Sequence, residues 1–142
     1  MNTEKYLLDT NVVSELRKKQ HSSPRLRNWF KNVNASSLFL SVVTIAEIQH
    51  GIELISKRDK IQAELLIQWK SRLQNSYQNL DHLLSLDPDT AQQWGKLQSL
   101  RPLPAMDAWL AATAIVHDLT IVTRNEKDFA RLPIKLLNPW TD

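Results

Sequence analysis

The feature that most constrains the fold is a short apolar run, close to residue 1, that ends on a carboxylate. Tyr6, Leu7 and Leu8 are predicted to form a short buried strand, and Asp9 follows them directly. In a parallel α/β sheet, ligands bind outside the carboxyl ends of the strands, so an acid at this position is typical of a site residue. Asp is also a favoured N-cap, and Asp9 would equally cap a helix that begins after it. Both interpretations stay open at this point.

The rest of the chain alternates short apolar runs with helical patterns. Four further runs predict strands at 37–41, 83–86, 120–123 and 134–137. Helices are predicted at 11–17, from Pro24, at 43–55, at 60–77, from Pro88 and at 105–117. Short strands that alternate with helices imply right-handed crossovers, and therefore a parallel sheet with helices on both faces. We expect a three-layer α/β/α fold around a central parallel sheet of about five strands, in a single domain spanning residues 1–142.

Composition narrows the function classes. The chain has no cysteine, which excludes disulfides, thiolate catalysis and cysteine-based zinc sites. Two glycines are too few for a phosphate-binding glycine loop, and the four histidines lack zinc-protease spacing. The net charge of +3 mildly favours a polyanionic partner. No apolar run reaches transmembrane length and the start, which includes Glu4, does not resemble a secretory leader, so we expect a cytoplasmic protein without a membrane partner.

Four carboxylates occupy comparable places in this pattern. Asp9 ends the first predicted strand, and Glu47 lies one turn into the helix that follows the second. Asp107 lies in the first turn of the helix that precedes the fourth strand, and Asp128 follows that strand. Because the carboxyl ends of parallel strands meet at one edge, we expect these acids to share one cleft. Simpler explanations stay open: Glu47 as a solvated residue, Asp107 as a partner of the helix dipole, and Asp128 as part of a surface turn.

A cluster of carboxylates restricts the chemistry. Such groups repel one another, and protonation, a basic partner or a divalent metal relieves the repulsion. Oxygen ligands suit Mg²⁺ or Mn²⁺, which retain waters and take substrate phosphates. A glycosidase needs only two acids and no basic surroundings, so the pattern favours metal-assisted hydrolysis of phosphodiesters. Ser41 and Thr123 end strands, where capping and hydrogen bonds to the acids or to metal-bound water are both open to them.

Four segments occur in order along the chain and carry a family resemblance. They are LLDTN at 7–11, AEIQHG at 46–51, DAWLAATA at 107–114 and TRNEKDF at 123–129, and LNPW follows at 137–140. Together they resemble the PIN domain, and most of all the VapC-type toxins of bacterial toxin–antitoxin pairs. The resemblance covers essentially the whole chain. It implies a magnesium-dependent endoribonuclease, in which Mn²⁺ is an alternative ion.

The resemblance also assigns roles to the acids. Asp9 and Asp107 match the principal metal ligands of the family, and Glu47 matches the third acid of the pocket. The fourth acid falls within the segment that here offers Asn125 or Asp128. Some relatives carry Asp at the position of Asn125, so the number of metal ions, one or two, stays open. In the resulting hypothesis all four acids are catalytic, and Glu47 and Asp128 act through a second ion or by orienting water.

Further residues and partners follow from the same comparison with the family. The side chains expected to contact substrate or line the pocket are Asn11, Thr123, Arg124 and Asn125. The basic side chains expected to bind RNA phosphates are Arg17, Lys18 and Arg124. The family implies an antitoxin that occupies a groove among the early helices, often with a basic side chain in the acidic pocket. It also implies a homodimer or a larger toxin–antitoxin assembly, which binds operator DNA only through the antitoxin.

Two rival functions stay open at this stage. One is a DNA nuclease of the same fold, which would share every metal ligand. The other is a catalytically silent module that acts with a DNA-binding antitoxin, and the departure at Asn125 is its support. Separately, a stripe at four-residue spacing in the 60–77 helix is predicted to pack in the core, with the antitoxin groove or a dimer seam as alternatives. Its residues are Ile61, Leu65, Trp69 and Leu73.

Overall fold

The computed structural model describes residues 4–142, in which five strands form a sheet with every neighbouring pair parallel. The strands are β1 (Tyr6–Leu8), β2 (Leu38–Ser41), β3 (Leu83–Leu84), β4 (Thr120–Val122) and β5 (Lys135–Leu137). Their order across the sheet is β3-β2-β1-β4-β5, so β1 is the central strand. The predicted parallel α/β sheet is confirmed. Residues 1–3, on which part of the expectation about a leader rests, lie outside the described residues.

Six α-helices connect the strands within these residues. They are α1 (Thr10–Leu16), α2 (Pro24–Asn32), α3 (Val42–Ser56), α4 (Lys60–Asn79), α5 (Pro88–Leu100) and α6 (Ala105–His117). Three short 3₁₀ helices supplement them, at Lys19–His21, Ala35–Ser37 and Glu126–Phe129. The Ser41 hydroxyl oxygen accepts a hydrogen bond from the Val43 N–H at 3.0 Å and so caps α3, one of the two roles predicted for it. No helix in residues 4–142 is both long enough and apolar enough to cross a membrane.

Helices cover both faces of the sheet, because successive residues of a strand point to opposite sides. Tyr6 and Leu8 belong to a core cluster that takes its other members mainly from α1, α2, α3 and α4. Leu7 points the other way, into a cluster formed mainly with α5 and α6. The predicted three-layer arrangement is therefore confirmed. The helix α6 is buried on several sides, and its fully or almost fully buried residues are Ala108, Leu110, Ala111, Ala112, Thr113 and Ala114.

The topology brings several segments to the carboxyl edge of the sheet. β1 pairs with β2 on one side and with β4 on the other, and the Asp9 N–H continues the second ladder by donating to the Val122 carbonyl at 2.9 Å. α3 starts directly after β2 at this edge. α6 runs back across the sheet before β4, so its first turn also lies there. This edge therefore gathers the four segments that carry the predicted acids.

Some predicted strand boundaries are wrong by one or two residues. The third strand ends at Leu84 and excludes Leu86, which is exposed, because the chain turns there into the cap of α5. That cap is Asp87, whose carboxylate accepts from the Thr90 N–H at 2.9 Å. Residue 37 belongs to a 3₁₀ turn, and Thr123 and Ile134 lie just outside β4 and β5. These differences leave the topology unchanged.

The apolar stripe of α4 divides into two halves, so its assignment to the core is only half right. Trp69 and Leu73 pack against the core cluster to which α1, α2 and α3 contribute. Ile61 and Leu65 are 79% and 55% exposed, because α4 extends beyond the layer that it covers. A four-residue repeat detects a common helix face, but it does not show how far a neighbouring element reaches along it.

Candidate active site

Asp9 lies at the end of β1, where its carboxylate caps α1, one of the two roles that the sequence left open, and also accepts a hydrogen bond from the segment after β4. It is 8% exposed, and its Oδ1 accepts from the Thr10 N–H at 2.7 Å as the N-cap of α1. Its Oδ2 accepts from the Thr123 hydroxyl at 2.8 Å, across from β4. Burial raises the pKa of Asp9, the hydrogen bonds from Thr123 and Thr10 oppose that change, and repulsion from Glu47 and Asp128 adds to it. An acid with a raised pKa at this edge is typical of a functional site.

A small network of polar groups fixes Asp9 between α1 and the segment after β4. Asn11 Nδ2 donates to Asp9 Oδ2 at 3.3 Å and to the Thr123 hydroxyl oxygen at 3.4 Å. The same hydroxyl oxygen accepts from the Asn125 N–H at 3.0 Å, and Asn11 Oδ1 accepts from the Arg124 N–H at 3.3 Å. The structure thus brings together all four residues predicted to surround the pocket. Of the two roles predicted for Thr123, the hydrogen bond to an acid is the one that the structure contains.

Glu47 faces the same cleft from α3. The Thr10 hydroxyl donates to Glu47 Oε1 at 2.6 Å, and the Thr10 and Thr44 hydroxyl oxygens are 3.2 Å apart. Glu47 is half-buried, and Thr44 is completely buried. Glu47 is therefore tied to the residue next to Asp9 and is not a freely solvated helix residue.

Asp107 is half-buried in the first turn of α6. Burial raises its pKa to about 6, and repulsion from Asp128, Asp9 and Glu47 contributes to the increase. A helix N-terminus stabilises an ionised acid and would lower the pKa. The raised pKa is the opposite of what the helix dipole alone would produce, and its causes are burial and the other three acids.

Asp128 is exposed on the 3₁₀ helix after β4, where its backbone carbonyl accepts from the Arg101 guanidinium at 3.0 Å. Although Asp128 is exposed, its charge raises the pKa of both Asp9 and Asp107. Asn125 is also exposed, and its backbone N–H rather than its side chain holds it to Thr123. Both candidates for the fourth position thus lie at the cleft, and only Asp128 contributes charge to it.

Within residues 4–142, none of the four acids forms an ion pair with a lysine, arginine or histidine. The ion pairs within residues 4–142 are Lys18–Glu15 and Lys135–Asp118, and neither includes these acids. In the same part of the chain, no group of three or more His, Asp or Glu side chains is arranged so that it could hold a metal ion. Two carboxylates can suffice for Mg²⁺, which uses one or two protein carboxylates and completes its shell with water and substrate phosphate. The oxygen donors of the cleft fit such an ion.

An apolar groove leads away from the cleft between α1, α2 and α4. It encloses about 210 Å³ and is lined largely by Leu16, Phe30, Trp69, Leu73 and Tyr77. A second cavity of about 220 Å³ shares Arg17 and Trp69 with this groove and reaches Thr10 and Glu47. The groove and the acidic cleft are therefore neighbouring parts of one surface.

Sequence reasoning missed the role of Thr10. It entered the prediction only as a member of the LLDTN segment, whereas its hydroxyl donates to Glu47, 37 positions further along the sequence. No local pattern indicates a contact of that separation. The one signal that could have indicated this role is a threonine directly after a strand-ending acid, on a helix that faces another acid of the same edge.

Thr10→Val should slow the reaction at this cleft and leave the fold intact. Valine keeps the shape of threonine but removes the hydroxyl that positions Glu47, and a hydrogen bond to a charged group contributes about 1.5–3 kcal/mol. We expect the turnover of substrate to fall about tenfold. Thr113→Val is the matched control, because the Thr113 hydroxyl only bonds the Trp109 carbonyl within α6. Equal turnover in the two variants would show that Thr10 does not position Glu47.

Comparisons with known proteins identify relatives over nearly the full chain. The PIN domain family matches residues 6–135. Toxin FitB of Neisseria gonorrhoeae is 30% identical over 96% of this chain and 99% of its own length. VapC ribonuclease Y4jK of Sinorhizobium fredii is 27% identical over 94% of this chain and 96% of its own length.

Solved structures agree with this family match. The crystal structure of FitAcB from Neisseria gonorrhoeae contains a chain that superposes with a TM-score of 0.80, at 28% identity and over 96% of this chain and 99% of the other. A toxin–antitoxin complex from Klebsiella pneumoniae contains another, with a TM-score of 0.66, at 25% identity and over 95% and 98% of the two chains. The three-layer fold around the acidic cleft is thus one that solved proteins share.

Proposed function

Because the chain belongs to the PIN domain family, we propose that it is the toxin of a toxin–antitoxin pair and a magnesium-dependent endoribonuclease. In this proposal residues 1–142 form a single nuclease domain that acts in the cytoplasm, where its RNA substrate is found. One observation carries the proposal: burial, together with the charges of Asp128, Asp9 and Glu47, raises the pKa of Asp107 to about 6, and within residues 4–142 none of these four acids forms an ion pair with a cation. Metal-dependent phosphodiester hydrolysis requires such an uncompensated oxygen site.

Each side chain of the cleft has a proposed task. Asp9 and Asp107 hold Mg²⁺, and Mn²⁺ is an alternative ion for these oxygen donors. Thr123 and Asn11 fix the Asp9 carboxylate by donating to its Oδ2, so its direction is set before substrate binds. When bound, the ion lowers the pKa of a water and offsets charge that develops on the phosphate.

The remaining acids act on the water. Glu47, fixed by the Thr10 hydroxyl, orients the attacking water and accepts its proton. Asp128 adds negative charge at the open side of the cleft, where it favours cation binding, and Asn125 presents a neutral amide beside it. Arg17, Lys18 and Arg124 carry positive charge outside this acidic centre and are proposed to contact RNA phosphates.

The proposed protein partner is an antitoxin. Its support is the name of the gonococcal relative, Toxin FitB, and the toxin–antitoxin complex from Klebsiella pneumoniae. The apolar groove between α1, α2 and α4 is the proposed binding surface, and it continues to Glu47. A basic antitoxin side chain that followed this path would neutralise the acids and block the cleft. A homodimer or larger toxin–antitoxin assembly, and operator DNA bound through the antitoxin, complete the proposal.

Matched nucleic acids test the proposal against its two rivals. Purified chain, free of antitoxin, is incubated with single-stranded RNA and single-stranded DNA of one sequence, and with a structured RNA, in the presence of Mg²⁺. We expect cleavage of RNA and none of DNA. Cleavage of DNA at an equal rate would favour the DNA nuclease of the same fold.

A growth assay decides the case in which no RNA is cleaved, since a narrow target RNA would give the same result as a silent binding module. Expression without the antitoxin should arrest growth, and Asp107→Asn should relieve the arrest. Normal growth with folded wild-type protein would favour the binding module and contradict the proposed nuclease.

A further inference from the structure

Arg124 carries its guanidinium over an aromatic ring beside the cleft. Its Cζ lies 5.4 Å from the centroid of the Trp140 ring, and the arginine is otherwise exposed. A guanidinium that stacks on an indole directs its N–H groups outward from its edges, where they match the oxygens of a phosphate. The stack therefore orders a flexible side chain while its donors stay accessible.

The ring itself is held by a turn at residues 138–142. Asn138 is 5% exposed, and its Oδ1 accepts from the Trp140 N–H at 3.0 Å. The Asn138 N–H donates to an Asp142 carboxylate oxygen at 2.8 Å, and its carbonyl accepts from the Asp142 N–H at 2.8 Å. From α2, the Arg25 guanidinium donates to the carbonyls of Trp140 and Thr141 at 3.3 and 3.1 Å. This turn is built around Asn138 and has a fixed shape.

The turn is joined to the segment that carries Arg124. Asn138 Nδ2 donates to Glu126 Oε2 at 3.2 Å and approaches the Arg124 carbonyl at 3.5 Å. On the other side of that segment, the Arg124 N–H donates to Asn11 beside Asp9. The backbone of Arg124 is therefore fixed between the cleft and the turn, and its side chain rests on the turn.

Within residues 4–142, Arg124 forms no ion pair with a carboxylate. Neither ion pair within residues 4–142 includes it, and Glu15, whose pKa its charge helps to lower, is paired with Lys18 at 3.0 Å. A cation in this position, one residue beyond the Thr123 that holds Asp9, stands beside the acidic cleft, where an RNA bound in the cleft would present its backbone phosphates. An accessible, ordered and unpaired arginine is suited to a phosphate.

We propose that Arg124 binds an RNA phosphate adjacent to the one that is cleaved, and that Trp140 is the positioning residue that holds its guanidinium there. This inference rests on the proposed function. It adds the 138–142 turn to the substrate-binding apparatus and assigns Trp140 a role besides packing against the core.

Binding of RNA to an inactive parent tests the inference. A fluorescein-labelled single-stranded RNA is titrated with Asp107→Asn protein, which leaves the RNA intact, at a series of salt concentrations, and fluorescence anisotropy gives Kd. We expect Arg124→Ala to raise Kd about tenfold or more and to reduce the salt slope by about 1. Trp140→Leu should raise Kd about two- to fivefold, and Trp140→Phe, which keeps a ring, should raise it less.

A double variant separates positioning from simple packing. If Trp140 acts through Arg124, Trp140→Leu should have no further effect on Kd when Arg124 is already alanine. If Trp140→Leu has a clearly lower Tm than the parent, the same double-mutant cycle is run with Trp140→Phe. A Trp140 effect that persists in full in the Arg124→Ala background would overturn the positioning role.

Arg58→Ala is the matched control for the loss of one positive charge. Arg58 is exposed in the turn after α3, and the ten residues of α3 from Glu47 to Ser56 alone span about 14 Å. Equal Kd values for Arg124→Ala and Arg58→Ala, with the parent binding RNA, would overturn the inference and leave the proposed function in place. A folded parent that binds no RNA at all would count against the proposed function itself.

Discussion

Asp107→Asn should abolish RNA cleavage and at the same time stabilise the fold. The asparagine side chain keeps the size of the aspartate but supplies no charge to hold Mg²⁺. Several kcal/mol of transition-state stabilisation is then lost, which corresponds to a cleavage rate about a thousandfold lower. Initial rates on one labelled RNA measure this loss. Wild-type turnover in the variant would exclude Asp107 from the site.

The stabilisation follows from the pKa of Asp107, which burial and the neighbouring acids raise to about 6 from 3.8. The folded state therefore holds its proton more tightly than the unfolded chain does. This tighter proton binding contributes to the free energy of unfolding. The contribution is fully present below pH 3.8 and is lost as the pH rises through about 6. At pH 7 the ionised acid costs about 1 kcal/mol, because solvent screens much of the nominal cost of a half-exposed group.

Thermal melting in EDTA, where no ion offsets the repulsion, checks the sign of this effect. Asp107→Asn should melt a few degrees above wild type at pH 7, and the difference should disappear near pH 4. A variant that melts below wild type at pH 7 would show that Asp107 contributes to the fold. Loss of cleavage would then have a structural cause.

Changes at Asp9 should also eliminate cleavage, but their effect on stability should depend on the replacement. Asp9→Ala removes the N-cap of α1, which contributes about 1 kcal/mol, and leaves the buried Thr123 hydroxyl without its acceptor, at a cost of about 1–3 kcal/mol. Asp9→Asn keeps a carbonyl oxygen to accept from the Thr10 N–H and removes a buried charge, but its NH₂ takes the place of the Oδ2 that accepts from Thr123. We therefore expect both variants to be less stable than wild type, and the asparagine variant to lose less stability than the alanine variant because it keeps the cap.

Denaturant unfolding of the two variants, together with cleavage rates, checks this prediction. Both should be inactive, so inactivity is separated from instability within one position. If Asp9→Asn cleaves RNA at the wild-type rate, Asp9 serves only as a cap. If Asp9→Ala is as stable as wild type, the cap and the Thr123 bond contribute nothing measurable.

The sequence predicted the topology well, because strands and helices alternate and the apolar residues of β1 are covered from both sides. It also predicted which four segments meet, since parallel strands end at one edge. It failed where the outcome depends on how far one element extends over another. Ile61 is apolar in sequence and exposed in the structure for that reason, whereas Leu86 is exposed because the chain turns there into the cap of α5.

The contacts within the site were less accessible to sequence reasoning. The bonds Thr10–Glu47 and Thr123–Asp9 join residues 37 and 114 positions apart, and no periodicity specifies them. The stacking of Arg124 on Trp140 likewise depends on the shape of a turn. The residue types predicted the chemistry, whereas the tertiary structure determined which side chains orient one another.

The dependence of the cleavage rate on Mg²⁺ shows most directly whether the acidic cleft cleaves RNA by using a divalent metal. The initial rate on one labelled RNA is measured with antitoxin-free wild type over a range of Mg²⁺ at constant ionic strength, then in EDTA, then after Mg²⁺ is restored. We predict saturable activation, no cleavage in EDTA and full recovery. Cleavage that continues undiminished in EDTA would show that the reaction does not depend on a divalent metal.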